Sequence, residues 1–123
     1  MRVCIHRGAQ EIGGSCVELE SSGQNLLLDL GLPLEAEENS PELLPPVVGL
    51  REPSGSLLGV LVSHPHPDHF GLLAHVRRDL PVAMGAAARR ILEAAAPWMP
   101  KGGVVPNSGP VLKDGEAFEW GPF

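Results

Sequence analysis

Polar and apolar residues alternate in two short stretches near the start of the chain, residues 2–6 and 15–20. Alternation with a period of two is typical of a strand whose two faces meet different environments. A third, more apolar stretch at residues 25–29 follows a polar connection at 21–24 that has the composition of a tight turn. The pattern therefore predicts three strands that form an antiparallel meander.

Beyond this meander the pattern changes to apolar runs and helical spacing. Residues 57–62 are rich in Val and Leu, which predicts a short buried strand. Apolar residues recur at helical spacing over 72–80, and this spacing predicts an amphipathic helix that packs on the sheet. Residues 81–83 predict a short strand, and residues 84–95 predict a second helix that is stopped by Pro97.

Prolines and glycines divide the rest of the sequence. Residues 33–53 contain five prolines among acidic residues, which predicts a loop with one helical turn at 41–44. We interpret this loop as a surface connection, and a lid over a cleft is the alternative. Residues 102–110 also predict a loop.

The last predicted feature is a hairpin. Asp114-Gly115 is a dipeptide typical of tight turns between strands. Short apolar pairs flank it at 111–112 and 117–118, and these pairs predict the two strands of the hairpin.

Four side chains that can bind metal ions follow the strand predicted at 57–62, namely His64, His66, Asp68 and His69. In an extended turn, His64 and His66 can project to the same side and bind one cation, while the Asp-His pair can face a second. Imidazole and carboxylate donors suit zinc, with manganese or iron as alternatives. A solvated loop without a metal is the other interpretation. Because ligands bind beyond the carboxyl ends of strands in open α/β sheets, the position favours the metal site.

Asp29 ends the third predicted strand and has two interpretations. A carboxylate at the end of a strand commonly caps a turn. It can instead accept a hydrogen bond from the free ring N–H of a metal-bound histidine, which fixes the tautomer and orientation of the ring. His75 lies outside the motif on the margin of a predicted helix, and we interpret it as structural.

Composition narrows the class of protein. The 123 residues are 43% hydrophobic, which permits one modest domain with a core. Cys4 and Cys16 are too few for a disulfide framework, so we expect small core residues of a reduced, cytoplasmic protein. No apolar run approaches membrane-spanning length, so we expect no membrane partner. The net charge of −6 opposes long-range attraction of nucleic acid, although two divalent ions would reverse the sign inside a cleft.

The motif His64-x-His66-x-Asp68-His69-x-Gly71 resembles the signature of the metallo-β-lactamase-fold hydrolases. Residues 8–13, 15–16 and 28–31 are similar to the N-terminal stretch of the β-CASP branch of that family, which includes ribonuclease J. Asp29 has the position of the first motif aspartate of that branch.

The resemblance implies an α/β fold, the N-terminal half of a four-layer αββα sandwich, with two divalent ions that we expect to be zinc. It implies that His64 and His66 bind the first ion and that Asp68 and His69 contribute to the second. The implied activity is hydrolysis by a metal-activated water, with Asp68 as the catalytic residue that orients it. RNA or another phosphodiester is the implied substrate.

The metal site of that family also uses histidines and an aspartate further downstream. This chain departs from that pattern, because no histidine lies between His75 and Phe123. We therefore expect residues 1–123 to be the N-terminal part of a metallo-β-lactamase-like domain, cut before the third metal motif. Alone, this part should bind metal weakly, hydrolyse nothing and associate into homo-oligomers through an uncovered sheet. Two alternatives remain: a hydrolase of a small thioester, lactam or phosphodiester, and a non-catalytic metal-binding module.

Overall fold

The computed structural model describes residues 1–99 and 108–123, and a six-stranded mixed sheet is its central element. The strands lie side by side in the order of the sequence. They are β1 (Arg2–Arg7), β2 (Cys16–Ser21), β3 (Gln24–Leu28), β4 (Leu57–Leu61), β5 (Val82–Gly85) and β6 (Ser108–Leu112).

The first three strands form an antiparallel meander, as the alternating pattern predicts. Ser22 and Gly23 connect β2 to β3, and both have positive φ angles, 51° and 75°. Two consecutive residues with positive φ give a tight hairpin turn whose twist matches that of the flanking strands. Ser21 and Gln24 are consequently paired directly across the turn.

Strands β3 to β6 are parallel to one another. Because β3 and β4 run in the same direction, the segments that come after Leu28 and Leu61 leave the sheet at the same edge. The backbone N–H of Asp29 donates to the carbonyl oxygen of Leu61 over 2.9 Å and joins the two segments there. The topology therefore places Asp29 beside the beginning of the histidine motif.

One face of this sheet is covered by helices and by the long loop. The α-helices are α1 (Pro67–Phe70) and α2 (Ala86–Ala95), and 3-10 turns span Pro41–Leu43, Gly71–His75 and Ala96–Trp98. Three side chains that pair across neighbouring strands, Leu27, Val60 and Val82, are fully buried under this layer.

The segment 33–53 contains one helical turn at Pro41–Leu43, as predicted. It is more than a surface connection, because the side chains of Val47 and Leu50 are buried in the hydrophobic core. The proline-rich loop thus contributes to the packing of the helical layer.

The helix predicted over 72–80 is wrong. Gly71–His75 is a 3-10 turn, and the chain then continues without helix to β5. The backbone N–H of Leu72 donates to the carbonyl of Leu30, and that of Arg77 donates to the carbonyl of Leu50. These backbone groups are bonded to neighbouring segments and not to the carbonyls four residues earlier, which is the bond a helix needs.

The second predicted helix is confirmed, with a later start. It spans Ala86–Ala95, whereas Met84 lies in β5 and is fully buried there. Ala88 and Leu92 are the helical residues that turn into the core. The spacing did not show where the strand ends and the helix begins, because Met84 is buried equally well in either element.

The predictions for the end of the chain are partly wrong. Residues 108–110, predicted as loop, lie in β6, whereas residues 102–107 lie outside the described residues. A methyl group at Gly109 would overlap the carbonyl of Val82, so the close approach of β6 to β5 needs glycine here. Pro110 is tolerated because β6 is at the edge of the described sheet.

The turn at Asp114-Gly115 is present, with a hydrogen bond from the N–H of Glu116 to the carbonyl of Lys113. No strand forms at 117–118, so the predicted hairpin is wrong. The strand before the turn, β6, is paired with β5 in parallel.

The two cysteines have different environments. Cys16 is 1% exposed and belongs to the core, as expected, but Cys4 is exposed on β1, so its prediction as a core residue is wrong. β1 is an edge strand, and no element of the described chain pairs with its outer side.

In the described ranges 1–99 and 108–123, no helix has the length and apolar character needed to cross a membrane.

Candidate metal centre

The histidine motif begins in the turn between β4 and α1 and continues through α1, which contains Asp68 and His69. His66 is the N-cap residue of α1, and Pro67 takes the first helical position, where its missing N–H costs nothing. The N–H groups of His69 and Phe70 both donate to the carbonyl of His66, over 2.8 and 3.2 Å. This short turn brings His69 back towards the first two histidines.

The three motif histidines form a compact group. The ring centroids of His64 and His66 are 4.7 Å apart in an edge-on arrangement, and those of His64 and His69 are 3.9 Å apart. The three rings are therefore packed against one another. Imidazole is a ligand type that suits a borderline divalent cation.

Asp29 connects β3 to this group through three hydrogen bonds. Its Oδ1 accepts from the backbone N–H of Ser63 over 2.7 Å, and its Oδ2 accepts from the Ser63 hydroxyl over 2.9 Å. The same Oδ2 lies 2.8 Å from Nδ1 of His69. Asp29 is 8% exposed and has a φ angle of 60°, a left-handed conformation that aspartate tolerates better than most residues.

The hydrogen bond to Asp29 determines which nitrogen of His69 can bind a cation. An ionised carboxylate only accepts hydrogen bonds, so Nδ1 of His69 carries the hydrogen and Nε2 has the free lone pair. That Nε2 lies 3.4 Å from Oδ2 of Asp68. Two donors that bind one zinc ion at about 2.0–2.2 Å with near-tetrahedral angles are separated by roughly 3.3–3.6 Å. The pair therefore fits a cation placed between these atoms.

Backbone hydrogen bonds hold the motif turn against the segment that comes after β3. The N–H of Ser15 donates to the carbonyl of Asp68 over 3.0 Å, and the N–H of Gly31 donates to the carbonyl of Ser15 over 2.9 Å. The N–H of Leu30 donates to the carbonyl of His69 over 2.9 Å. A methyl group at Gly31 would overlap the Asp68 carbonyl and lie 2.8 Å from the Ser15 nitrogen. Glycine is therefore required for this close approach.

The structure does not bring all of the predicted metal ligands together. In the described part of the chain, the motif side chains do not form a group of three or more whose donor atoms all lie within 4.8 Å of one another. What the structure brings together is the Asp29–His69–Asp68 series and the packed rings of His64, His66 and His69. By donor type these residues fit a divalent metal site, and by donor number they make only part of one.

Sequence reasoning assigned no role to Ser63. Its hydroxyl lies 3.0 Å from Nδ1 of His64 and 3.3 Å from Nδ1 of His69, in addition to its bond with Asp29. A hydroxyl directly after a buried strand and directly before a histidine was the signal available in the sequence.

His75 is hydrogen-bonded to Oδ1 of Asn39 over 2.9 Å.

A cleft lies beside the motif. It is lined by Gln10, Glu11, Ile12, Leu34 and Glu35. Between the cleft and the motif lies Gly13, where a methyl group would be 3.1 Å from Cβ of Asp68. The turn after β1 and the start of the long loop thus form walls next to Asp68.

Comparison with known proteins adds four findings. A family model described as the metallo-beta-lactamase superfamily matches residues 10–122. The chain is 35% identical over 66 residues to "RNase aCSPSF2" of Saccharolobus solfataricus, covering 54% of this chain and 12% of that protein. It is 35% identical over 82 residues to ribonuclease J of Synechocystis sp., covering 63% of this chain and 13% of that protein. The solved Rm3 metallo-beta-lactamase has a TM-score of 0.53 and 30% identity, over 89% of this chain and 43% of that one.

Proposed function

The chain belongs to the metallo-beta-lactamase superfamily, and from this membership we propose that it carries part of the active site of a zinc-dependent ribonuclease. The predicted family and fold class, the N-terminal half of the metallo-β-lactamase sandwich, are confirmed. Membership in this superfamily and the ribonuclease names of its relatives support a metal-dependent hydrolase that acts on RNA. The chain spans 12–13% of the length of those two relatives, so the activity of the whole protein is part of the proposal.

The observation that carries the proposal is the Asp29–His69–Asp68 series. Asp29 keeps the hydrogen on Nδ1 of His69, so Nε2 is available as a donor next to the Asp68 carboxylate. The carboxylate of Asp29 also accepts two hydrogen bonds from Ser63, so it fixes the start of the motif as well as the ring of His69. We assign Asp68 and His69 to one divalent ion and His64 and His66 to a second.

Divalent ions at these positions would supply Lewis acidity towards a phosphodiester oxygen and a water molecule. The chain's own residues would orient the reactants. Asp68 is 24% exposed, so its carboxylate can accept a hydrogen bond from water. Ser63 and Asp29 hold the rings of His64 and His69, which limits the freedom of the donors before substrate arrives.

Two further parts of the proposal rest on the number of metal donors and on the small share of the relatives' length that the chain covers. Two protein donors per ion are fewer than the three or four of an ordinary zinc site. We therefore propose that a longer cytoplasmic protein supplies the missing ligands from a segment downstream of this one. On that basis, this chain alone has little hydrolytic activity.

The substrate class separates the proposal from its main alternative. The 30% identity to a metallo-beta-lactamase structure favours a small-substrate hydrolase as the second candidate. RNA is favoured by the names of the two relatives, each 35% identical to the matched residues. The acidic net charge of −6 means that RNA would be attracted by the ions in the cleft and not by this part of the surface.

The test uses the full-length protein that carries this chain. His66→Ala should lower the metal content and reduce RNA hydrolysis by at least about 100-fold, because it removes a donor from an already small shell. His75→Ala is the matched control, since His75 is a histidine outside the motif with an Asn39 partner. Turnover of a β-lactam or a thioester without RNA cleavage would support the second candidate. Unchanged metal content and turnover in His66→Ala would refute the metal-site assignment.

A further inference from the structure

A second group of potential metal ligands lies on the hairpin formed by β1 and β2. In the described residues, donor atoms of Cys4, His6 and Glu18 all lie within 4.8 Å of one another. The closest pair, Nε2 of His6 and Oε2 of Glu18, is 2.9 Å apart. None of these residues belongs to the histidine motif.

The hairpin register explains why these three side chains meet. Cys4 and Glu18 are directly paired across β1 and β2, so their Cβ atoms lie on the same face about 4.5–5.5 Å apart. His6 lies where the register of β1 shifts between Ile5 and Arg7, and its Nε2 reaches Oε2 of Glu18 on the same face. A slip of one residue would put Cys4 and His6 on the opposite face from Glu18 and disperse the group.

Glu18 is held in position from its other side. The amide Nδ2 of Asn25 on β3 donates to Oε1 of Glu18 over 2.7 Å, which leaves Oε2 directed towards His6. The side chains of His6 and Glu18 are only 13% and 12% exposed. A carboxylate with one oxygen fixed by an amide and the other directed at an imidazole is oriented as metal-binding carboxylates are.

We propose that Cys4, His6 and Glu18 bind one divalent transition-metal ion, with Zn²⁺ as the preferred occupant. Thiolate, imidazole and carboxylate together suit zinc and disfavour magnesium and calcium, which take oxygen donors. The thiolate and the carboxylate together carry two negative charges, which a divalent ion neutralises. Zinc donors lie roughly 3.3–3.8 Å apart around the ion, so the three donor atoms need only small rotations to close on it.

This site is separate from the histidine motif. β2 lies two strand spacings from β4, which is about 10 Å at the usual distance between strands. Three protein donors also leave a fourth tetrahedral position open to water or to another ligand. The site therefore has the composition of an open zinc site and not that of a closed structural one.

The experiment uses Co²⁺ as the probe on a protein with His64→Ala and His66→Ala, which disables the motif without changing the hairpin. We expect one Co²⁺ per chain and a thiolate-to-cobalt charge-transfer band. Cys4→Ser should abolish the band, and since Cys4 is exposed this change should not unfold the protein. Cys16→Ala is the matched control, because Cys16 is the buried cysteine of the neighbouring strand and should leave the band intact.

A second variant distinguishes a three-donor site from capture of cobalt by one exposed thiol. Glu18→Gln retains an oxygen that can accept from Asn25 but loses the charge, and it should weaken Co²⁺ binding at least about tenfold, as changes around a metal site typically do. Absence of the band, or an affinity that Glu18→Gln does not change, would show that His6 and Glu18 form only an ion pair. Because His64 and His66 are absent throughout, failure here leaves the ribonuclease proposal untouched.

Discussion

Replacement of Asp29 with Asn tests the connection between β3 and His69, the histidine that we propose binds metal. Asn has the same shape and tolerates the left-handed backbone at this position, where φ is 60°. The change therefore removes the charge and one acceptor without altering the turn. The hydrogen bonding to Ser63 and His69 is the property that changes.

Either orientation of the Asn amide disturbs one of these contacts. If its oxygen accepts from the backbone N–H of Ser63, its NH₂ group faces Nδ1 of His69, which is 2.8 Å from the carboxylate in the parent. His69 must then move its hydrogen to Nε2, and the lone pair that faces Asp68 is lost. If the amide is reversed, two N–H groups oppose each other at Ser63.

The expected magnitude is set by the loss of one charge-assisted hydrogen bond. Such a bond contributes about 1.5–3 kcal/mol. Since about 1.4 kcal/mol corresponds to a tenfold change in affinity, metal binding should weaken roughly 10–100-fold. The usual effect of changing the hydrogen-bond partner of a metal-bound histidine has the same size.

The assay is a competition titration with a chelator on the full-length protein, together with thermal unfolding of the metal-free form. Asp79→Asn is the matched control, because Asp79 is an exposed carboxylate whose partner is Arg77. It should leave the metal affinity unchanged. An Asp29→Asn protein that binds metal as tightly as the parent but unfolds more easily would refute the tautomer argument and support a role in capping the turn.

Two further predictions concern packing and pH. Gly31→Ala should lower the free energy of unfolding by about 2–4 kcal/mol, because the methyl group overlaps a backbone carbonyl of the motif turn. Gly55→Ala, at a position with open space, should have little effect on chemical denaturation, and equal losses would contradict the packing argument. Burial and the nearby Glu18 raise the pKa of Cys16 from 9.0 to about 12. The unfolded chain therefore loses this proton first, and stability should fall by up to about 1.4 kcal/mol per unit as the pH rises from 9 to 12. Denaturation of Cys16→Ala over this range should lack that component, and an equal slope in the variant would contradict it.

Local pattern determined the first half of the fold. The alternation in β1 and β2, and a tight turn between β2 and β3, were sufficient to predict the meander to within one residue. The apolar run at 57–62 likewise located β4, which ends at Leu61. These features depend on neighbours in the sequence, where the side-chain period of a strand is directly visible.

Local pattern failed where backbone groups are bonded to distant segments. The spacing of Leu72 and Leu80 suits a helix, and both side chains are buried. No helix forms here, because the N–H of Leu72 is bonded to the carbonyl of Leu30. The predicted hairpin near Asp114 failed for the same reason, since the strand before the turn is paired with β5 and not with residues 117–118. Burial of an apolar side chain can be read from a sequence more safely than the hydrogen bonds of its backbone.

The sequence identified some features of the candidate metal site, and the tertiary structure identified the others. The sequence by itself identified the candidate donors His64, His66, Asp68 and His69 from their types and spacing. It named Asp29 but left its role open. Only the tertiary structure showed its contact with His69, because the two residues are 40 positions apart and meet through the parallel pairing of β3 with β4.

The group of Cys4, His6 and Glu18 was determined by the tertiary structure alone. Nothing in the spacing of these residues resembles a metal motif, and Cys4 was expected in the core. The group exists because the antiparallel register sets Cys4 opposite Glu18, and because Asn25 on a third strand fixes the carboxylate. A sequence specifies which donors a strand carries and on which face, but the register between strands decides which donors meet.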